Sequence, residues 1–446
     1  MARSTFHRFE LNGQRFAIDP ETCFCFECDE ISWDVLPFYP DSTVNRIFHE
    51  LEGKYERKEL NEVIGEFEWL RATKSIIAHK KQEDFFKDFE QEQGLRRLVI
   101  RLPRQTTEEQ KKRGWFRGAE DAVIPGTALE TGHDAINLLL NRAGDQPVLH
   151  LEFLEEGTVH NPELLARLCA HALKQARLAG KGLSAAVHVT GVDIKNAPDS
   201  LGDHAVAVKL EFQNPEDLAE HMKALSAPGP HTLARWVKVL QSDSEGVAGR
   251  IVVTPRHAGY GKVVETLHQA GFRTIELDLD GAYLANPGLS PRDMLQGLSE
   301  SAVYYARCLA KQQYFRLDPI APLFYRIYNG TPLRRADPAG MNELAVDEDG
   351  AVYPSWRALG RDEFKLGSLT AGSLDEGALG VYEGLGSQLI STCRRCWARN
   401  LCGGGTAAVH HALTGSVRTP QEAWCDAQRD WLAAAVSAFS HLSAHG

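Results

Sequence analysis

Four cysteines crowd residues 393 to 446: Cys393, Cys396, Cys402 and Cys425, spaced C-x2-C-x5-C-x22-C. A C-x2-C pair lets two thiolates converge on one ion or cluster. Cys402 closes from the other side of a loop, and a later helix supplies Cys425 as the fourth ligand. Soft thiolates suit zinc or an iron-sulfur cluster equally, so the spacing alone leaves both open. The plain alternative is four unrelated buried thiols.

The other chemistry-bearing residues form weaker patterns. Cys23, Cys25 and Cys28 read C-x-C-x2-C. On a regular strand Cys23 and Cys25 share one face and Cys28 falls on the other with Phe24 and Phe26, so convergence would need a bend. Cys169 and Cys308 sit in amphipathic helical sequence and read as core. His257, His410 and His411 lack a carboxylate partner in a recognisable frame. Gly259-Tyr-Gly-Lys262 is too short for a phosphate loop or a dinucleotide fingerprint.

The chain that must position these groups has 446 residues, more than one core usually serves, so two or three domains are expected. It is 43% hydrophobic and 24% charged, with a formal net charge of -11 that repels phosphate backbones and anionic membranes, so neither nucleic acid nor membrane is expected as a partner. The run Lys111-Lys112-Arg113 reads as a solvated face. No secretory signal and no membrane-spanning stretch is visible, and nine cysteines, an odd number, read as reduced thiols or ligands in a cytoplasmic protein.

Strands are expected at Thr5–Leu11, Gln14–Ile18 and Cys23–Glu27, the first two joined by the hairpin signal Asn12-Gly13. Helices are expected at Glu30–Leu36, Ser42–Leu51 and Leu60–Ala72, the last with one apolar face of Leu60, Val63, Ile64, Phe67 and Leu70. After the charged stretch 79–93, six strands alternate with amphipathic helices: Leu98–Leu102, Val148–Phe153, Ser184–Val189, Ala205–Phe212, Gly249–Val253 and Thr274–Leu279. That pattern predicts a parallel sheet, open or curved into a partial barrel. A β-hairpin turning at Asp349-Gly350 follows, then a glycine- and cysteine-rich segment and a closing helix near Ala423–Leu442.

The run Cys393-Arg-Arg-Cys396-Trp-Ala-Arg-Asn-Leu-Cys402-Gly-Gly-Gly resembles the C-terminal signature of radical SAM peptide maturases with a SPASM domain. Leu344-Ala-Val-Asp-Glu-Asp-Gly350-Ala-Val-Tyr-Pro354 and Phe364-Lys-Leu-Gly367 resemble the segment preceding it, and the first 75 residues are similar to the peptide-recognition domain, of the pyrroloquinoline-quinone peptide-chaperone type, that often starts such enzymes. The resemblance implies an α/β fold: a winged-helix-like α+β peptide-recognition domain at 1–78, a partial (β/α)6 TIM-like barrel at 94–315, and a SPASM domain at 330–446.

It also implies one 4Fe-4S cluster on Cys393, Cys396, Cys402 and Cys425, with zinc the alternative. The positions matching a second cluster's ligands hold Ser355 and Thr406 instead. The place of the SAM-binding C-x3-C-x2-C, Arg101 to Trp115, contains no cysteine, and the glycine-rich turn that receives SAM aligns with Glu155-Glu156-Gly157-Thr158. No SAM is expected. The implied role is a degenerate partner subunit, heterodimeric with an active radical SAM enzyme, in maturing a ribosomally made precursor peptide. The peptide would add beside Cys23, Phe24, Cys25, Phe26 and Glu27 and pack on Val63 and Phe67. The competing expectation is a stand-alone iron-sulfur or zinc enzyme.

Overall fold

The computed structural model describes residues 6–77, 94–103, 126–155, 162–190, 206–212, 247–252, 260–269, 271–279, 284 and 290–444. Lys111–Arg113, His257, most of the Arg101–Trp115 segment, and Glu156–Thr158 lie outside them.

The N-terminal residues form the three strands and three helices that their sequence predicts. Strands β1 (His7–Leu11), β2 (Gln14–Ile18) and β3 (Cys25–Glu27) form an antiparallel meander. Asn12 and Gly13 both take positive φ, 52° and 79°, as a tight primed turn requires. Helices α1 (Glu30–Val35), α2 (Val44–Leu51) and α3 (Arg57–Ala72) cover one face of the sheet. A capping box between Glu56 and Glu59 starts α3, and its apolar stripe Leu60, Val63, Ile64 and Phe67 is buried. β3 departs from expectation, beginning at Cys25 rather than Cys23. Cys23 has φ 63° and donates its N–H to the Asp19 carbonyl at 2.9 Å, so it belongs to the turn between β2 and β3.

The second sheet has eleven strands in the order β10-β9-β8-β7-β6-β5-β4-β11-β12-β13-β14. The six expected strands are β4 (Arg97–Arg101), β5 (Val148–Glu155), β6 (Gly182–Thr190), β7 (Val206–Phe212), β8 (Val247–Val252) and β9 (Thr274–Asp278), all parallel. Two further parallel strands extend it. β10 (Arg316–Asp318) is three residues long, too short to show a period. β11 (Glu343–Val346) is the first arm of the expected hairpin with β12 (Ala351–Tyr353), yet its other edge pairs parallel with β4, Glu343 opposite Arg97 and Val346 opposite Ile100. β13 (Gly367–Ser368) and β14 (Ser373–Leu374) complete a sheet that does not close.

Helices α4 (Gly126–Arg142), α5 (Pro162–Leu178), α6 (Tyr260–Gln269), α7 (Pro291–Ala310) and α8 (Ile320–Asn329) follow the strands. Leu98, Ile100, Leu151, Phe153, Val187, Ile275 and Leu277 belong with residues of these helices to one buried core. The alternate positions, which include Arg97, Arg101, Glu152, His188, Lys209 and Glu276, point to the opposite face. The C-terminal segment adds α9 (Glu376–Glu383), the single turn α10 (Arg399–Cys402), α11 (Ala407–Thr414) and α12 (Glu422–Ala444), the last packed along α7. Among the described residues no helix is long and apolar enough to cross a membrane.

Candidate metal centre

Short, tightly turned elements bring the four cysteines together. Cys393 opens a single 3-10 turn whose carbonyl accepts from the Cys396 N–H at 2.9 Å, which sets the C-x2-C bend. Cys402 ends α10, its N–H bonded to the Ala398 carbonyl at 2.8 Å. Three glycines then reverse the chain at φ 68°, 96° and 74°. At Gly404 a Cβ would lie 2.9 Å from the Ser387 nitrogen, and at Gly405 2.7 Å from Nε2 of buried His410, so the tight wrap around Cys402 excludes any side chain there. The first turn of α12 delivers Cys425 from the far side.

All four thiols line one cavity of about 360 Å³, together with Gly404, Gly405, His410 and Arg429. Burial, then the neighbouring Cys425 and Cys396, pushes the Cys393 thiol up to about 11. Burial pushes Cys402 up to about 12 against the pull of the Gly404 N–H, and Cys425 is raised by burial although Arg429 opposes it. Without a cation between them these stay neutral thiols, which a metal would deprotonate. The Arg429 guanidinium hydrogen-bonds Cys396 and the Gly404 N–H bonds Cys402, donors that suit thiolate sulfur.

Four sulfurs on one tetrahedral zinc, each about 2.3 Å from the metal, would lie roughly 3.8 Å from one another. Among the described residues no three His, Cys, Asp or Glu side chains are gathered closely enough to hold a single metal ion. The four-thiol lining suits soft metals, zinc and an iron-sulfur cluster alike.

The structure does not bring Cys23, Cys25 and Cys28 together. Cys23 donates to the Asn400 carbonyl at 3.8 Å, Cys25 accepts from the Ser440 hydroxyl at 3.6 Å, and Cys28 is buried in the N-terminal domain's own core. Burial pushes each thiol up to about 12. Phe24, Phe26, Val63 and Phe67 join that same core, with Phe26 and Phe67 ring centroids 6.0 Å apart, so Val63 and Phe67 are not open to a peptide. Glu27 is exposed and accepts from Gln14 at 2.9 Å.

Ser355 is buried, and the Thr406 hydroxyl is buried with no hydrogen-bond partner. Cys169 is core, as expected. Cys308 lies 3.8 Å from His268, which also bonds the Tyr304 hydroxyl at 2.8 Å, beside a separate outer cavity. His411 packs edge-on against Phe364.

One constellation went unread in the sequence. Arg97 binds Glu152 through two nitrogens at 2.9 and 2.7 Å and Glu343 at 2.6 Å. Glu152 also meets His188 at 2.5 Å and Lys209 at 3.4 Å, and Lys209 reaches Glu276 at 3.0 Å. Although burial acts the other way in both, Arg97, Lys209 and His188 hold the Glu152 carboxyl well below its ordinary range, and Glu152 and Glu343 hold Arg97 charged. Charged residues at alternate positions within apolar strands, as in Arg97-Leu-Val-Ile-Arg101, were the available signal.

No protein-family model matches the chain, and no curated protein matches it in sequence. Solved structures do match. Native anSMEcpe with bound AdoMet and the Kp18Cys peptide aligns at 14% identity and TM-score 0.56, over 77% of this chain and 98% of that one. The two share a fold. A polyhistidine-tagged anSMEcpe with bound AdoMet gives 14% identity and TM-score 0.55 over 78% and 98%. Streptococcus suis SuiB bound to S-adenosylmethionine aligns over 94% of this chain and 98% of that one at 11% identity and TM-score 0.45.

Proposed function

We propose that the chain is a degenerate radical SAM and SPASM maturase homologue, a cytoplasmic partner subunit that carries one 4Fe-4S cluster on Cys393, Cys396, Cys402 and Cys425 and assists an active radical SAM enzyme in modifying a ribosomally made peptide. The observation that carries it is the four-thiol cavity in a chain with no cysteine between Cys28 and Cys169. The fold shared with anSMEcpe, a protein solved with AdoMet and a peptide, supports the lineage.

A cluster held by four protein thiolates has no open iron, so it would relay single electrons or hold its loops together rather than bind substrate. Gly404 and Arg429 would stabilise its thiolates. Peptide capture narrows to the outer edge of β3, whose backbone pairs only with β2 among the described strands, with Glu27 exposed beside it.

Anaerobic purification with iron, sulfide and zinc analysis of wild type and Cys396→Ala tests the centre. Iron and sulfide in near-equal amounts, lost in the variant, are expected. Zinc without sulfide would refute the cluster, SAM cleavage by the isolated chain would refute the partner role, and co-purification with a cysteine-complete homologue would support it.

A further inference from the structure

Two segments supply three of the four cysteines, the Cys396–Cys402 loop and α12, and both also grip the N-terminal domain. Between Cys396 and Cys402, Trp397 stacks on His7 with ring centroids 4.4 Å apart and planes 5° from parallel, and Phe9 lies 6.2 Å away. Arg399 forms an ion pair with Glu21. Asn400, 1% exposed, donates to the Pro20 carbonyl at 2.7 Å and to that of Glu21 at 3.3 Å, while its own carbonyl accepts from the Cys23 thiol. From α12, Ser440 meets Cys25, and His441 meets Gln14 at 2.9 Å and the edge of Phe16.

We propose that metal occupancy latches the N-terminal domain: loading the four cysteines fixes Trp397, Arg399 and Asn400 in the geometry that docks strands β1 to β3, and losing the metal releases them. This rests on the metal reading above and assigns that centre a positioning role. The physical reason is the brevity of the loop. Five residues separate Cys396 from Cys402, so anchoring both ends on one centre restricts the backbone of all of them. Each residue freed must give up backbone conformational entropy again on docking. Empty, the loop keeps its turn hydrogen bonds and its contacts with strands β1 to β3 but loses the common anchor at its two ends. Full, it presents a preformed surface. Linkage makes the effect reciprocal: docking must raise metal affinity by the same factor by which metal raises docking.

The test is hydrogen exchange with mass spectrometry on the anaerobically purified full chain, on the same chain stripped of metal, and on Arg399→Gln and Glu21→Gln, with iron, sulfide and zinc measured throughout. Stripping should speed exchange in residues 7–27 by about 5- to 150-fold, the usual span of coupling between two sites. α3, buried in the domain's own core, should change less, which separates undocking from unfolding, and strand Leu149–Phe153 should not change. Arg399→Gln keeps all four thiols. It should undock the domain and hold metal more weakly, by no more than the factor by which stripping metal undocks the wild type. Equal exchange at 7–27 with and without metal would overturn the latch while leaving the metal reading standing. A wild type that purifies with four free thiols and no metal would overturn both.

Discussion

The four-cysteine cavity and the charged face of the large sheet are both partly buried clusters of ionisable groups, and they are opposite in kind. Around Arg97 every charge meets one of opposite sign, so desolvation is offset within the protein. Around Cys402 burial, and after it the neighbouring cysteines, raises the thiol's proton affinity. A self-neutralising cluster is complete as it stands, whereas thiols around one cavity become thiolates only against a bound cation. The difference teaches which of the two clusters calls for a counter-charge from outside the protein.

The contrast breaks most visibly at the cysteines. Cys402→Ser should empty the centre and destabilise the C-terminal segment by more than ~4 kcal/mol, the range associated with loss of a structural metal, as read by metal analysis and denaturant unfolding. Arg97→Met should cost about 3–5 kcal/mol by stranding buried Glu343 without a counter-charge and leaving Glu152 only His188 and Lys209, yet leave metal content unchanged. If Arg97→Met also empties the cysteines, the two regions are not independent.

Acid should separate them further. Burial, then Arg429, pulls His7 down to about 4 from an ordinary 6.5, so protonation favours the released domain. Docking is intact above about 6.5 and should weaken as pH falls from there toward 4. Glu152 is held well below 4.5, so its stabilisation is present above that value and is lost only as pH falls beneath it. Exchange at residues 7–27 should therefore rise before exchange in β5 does, and a simultaneous rise would contradict the assignment. The smallest effect serves as the control: Arg292 and Asp430 pair across α7 and α12 but are 79% and 56% exposed, so Asp430→Asn should shift stability by less than ~0.5 kcal/mol.

Local signals carried the legible part of the fold. Asn12-Gly13, the stripe Leu60 to Phe67 and the six apolar strand segments each encode their structure within a few residues, and so does the C-x2-C-x5-C run. What escaped reading joins residues far apart in the chain. Arg97 and Glu343 meet across 246 positions, and Asn400 and Pro20 across 380. No periodicity encodes such pairings, because parallel register and domain docking are settled by the assembled core. Cys23 escaped for a different reason. Its type suits a strand, but the Asp19 carbonyl claims its N–H for a turn.

The parallel seam between β11 and β4 has a practical consequence for anyone dividing the chain. A cut at Asn329, where the sequence changes texture, would strip β4 of its neighbour and bare a row of N–H and C=O groups along Leu98-Val-Ile100. Such an uncovered apolar edge invites pairing with its own kind, so the truncated fragment should precipitate or form β-rich oligomers where the full chain stays dispersed.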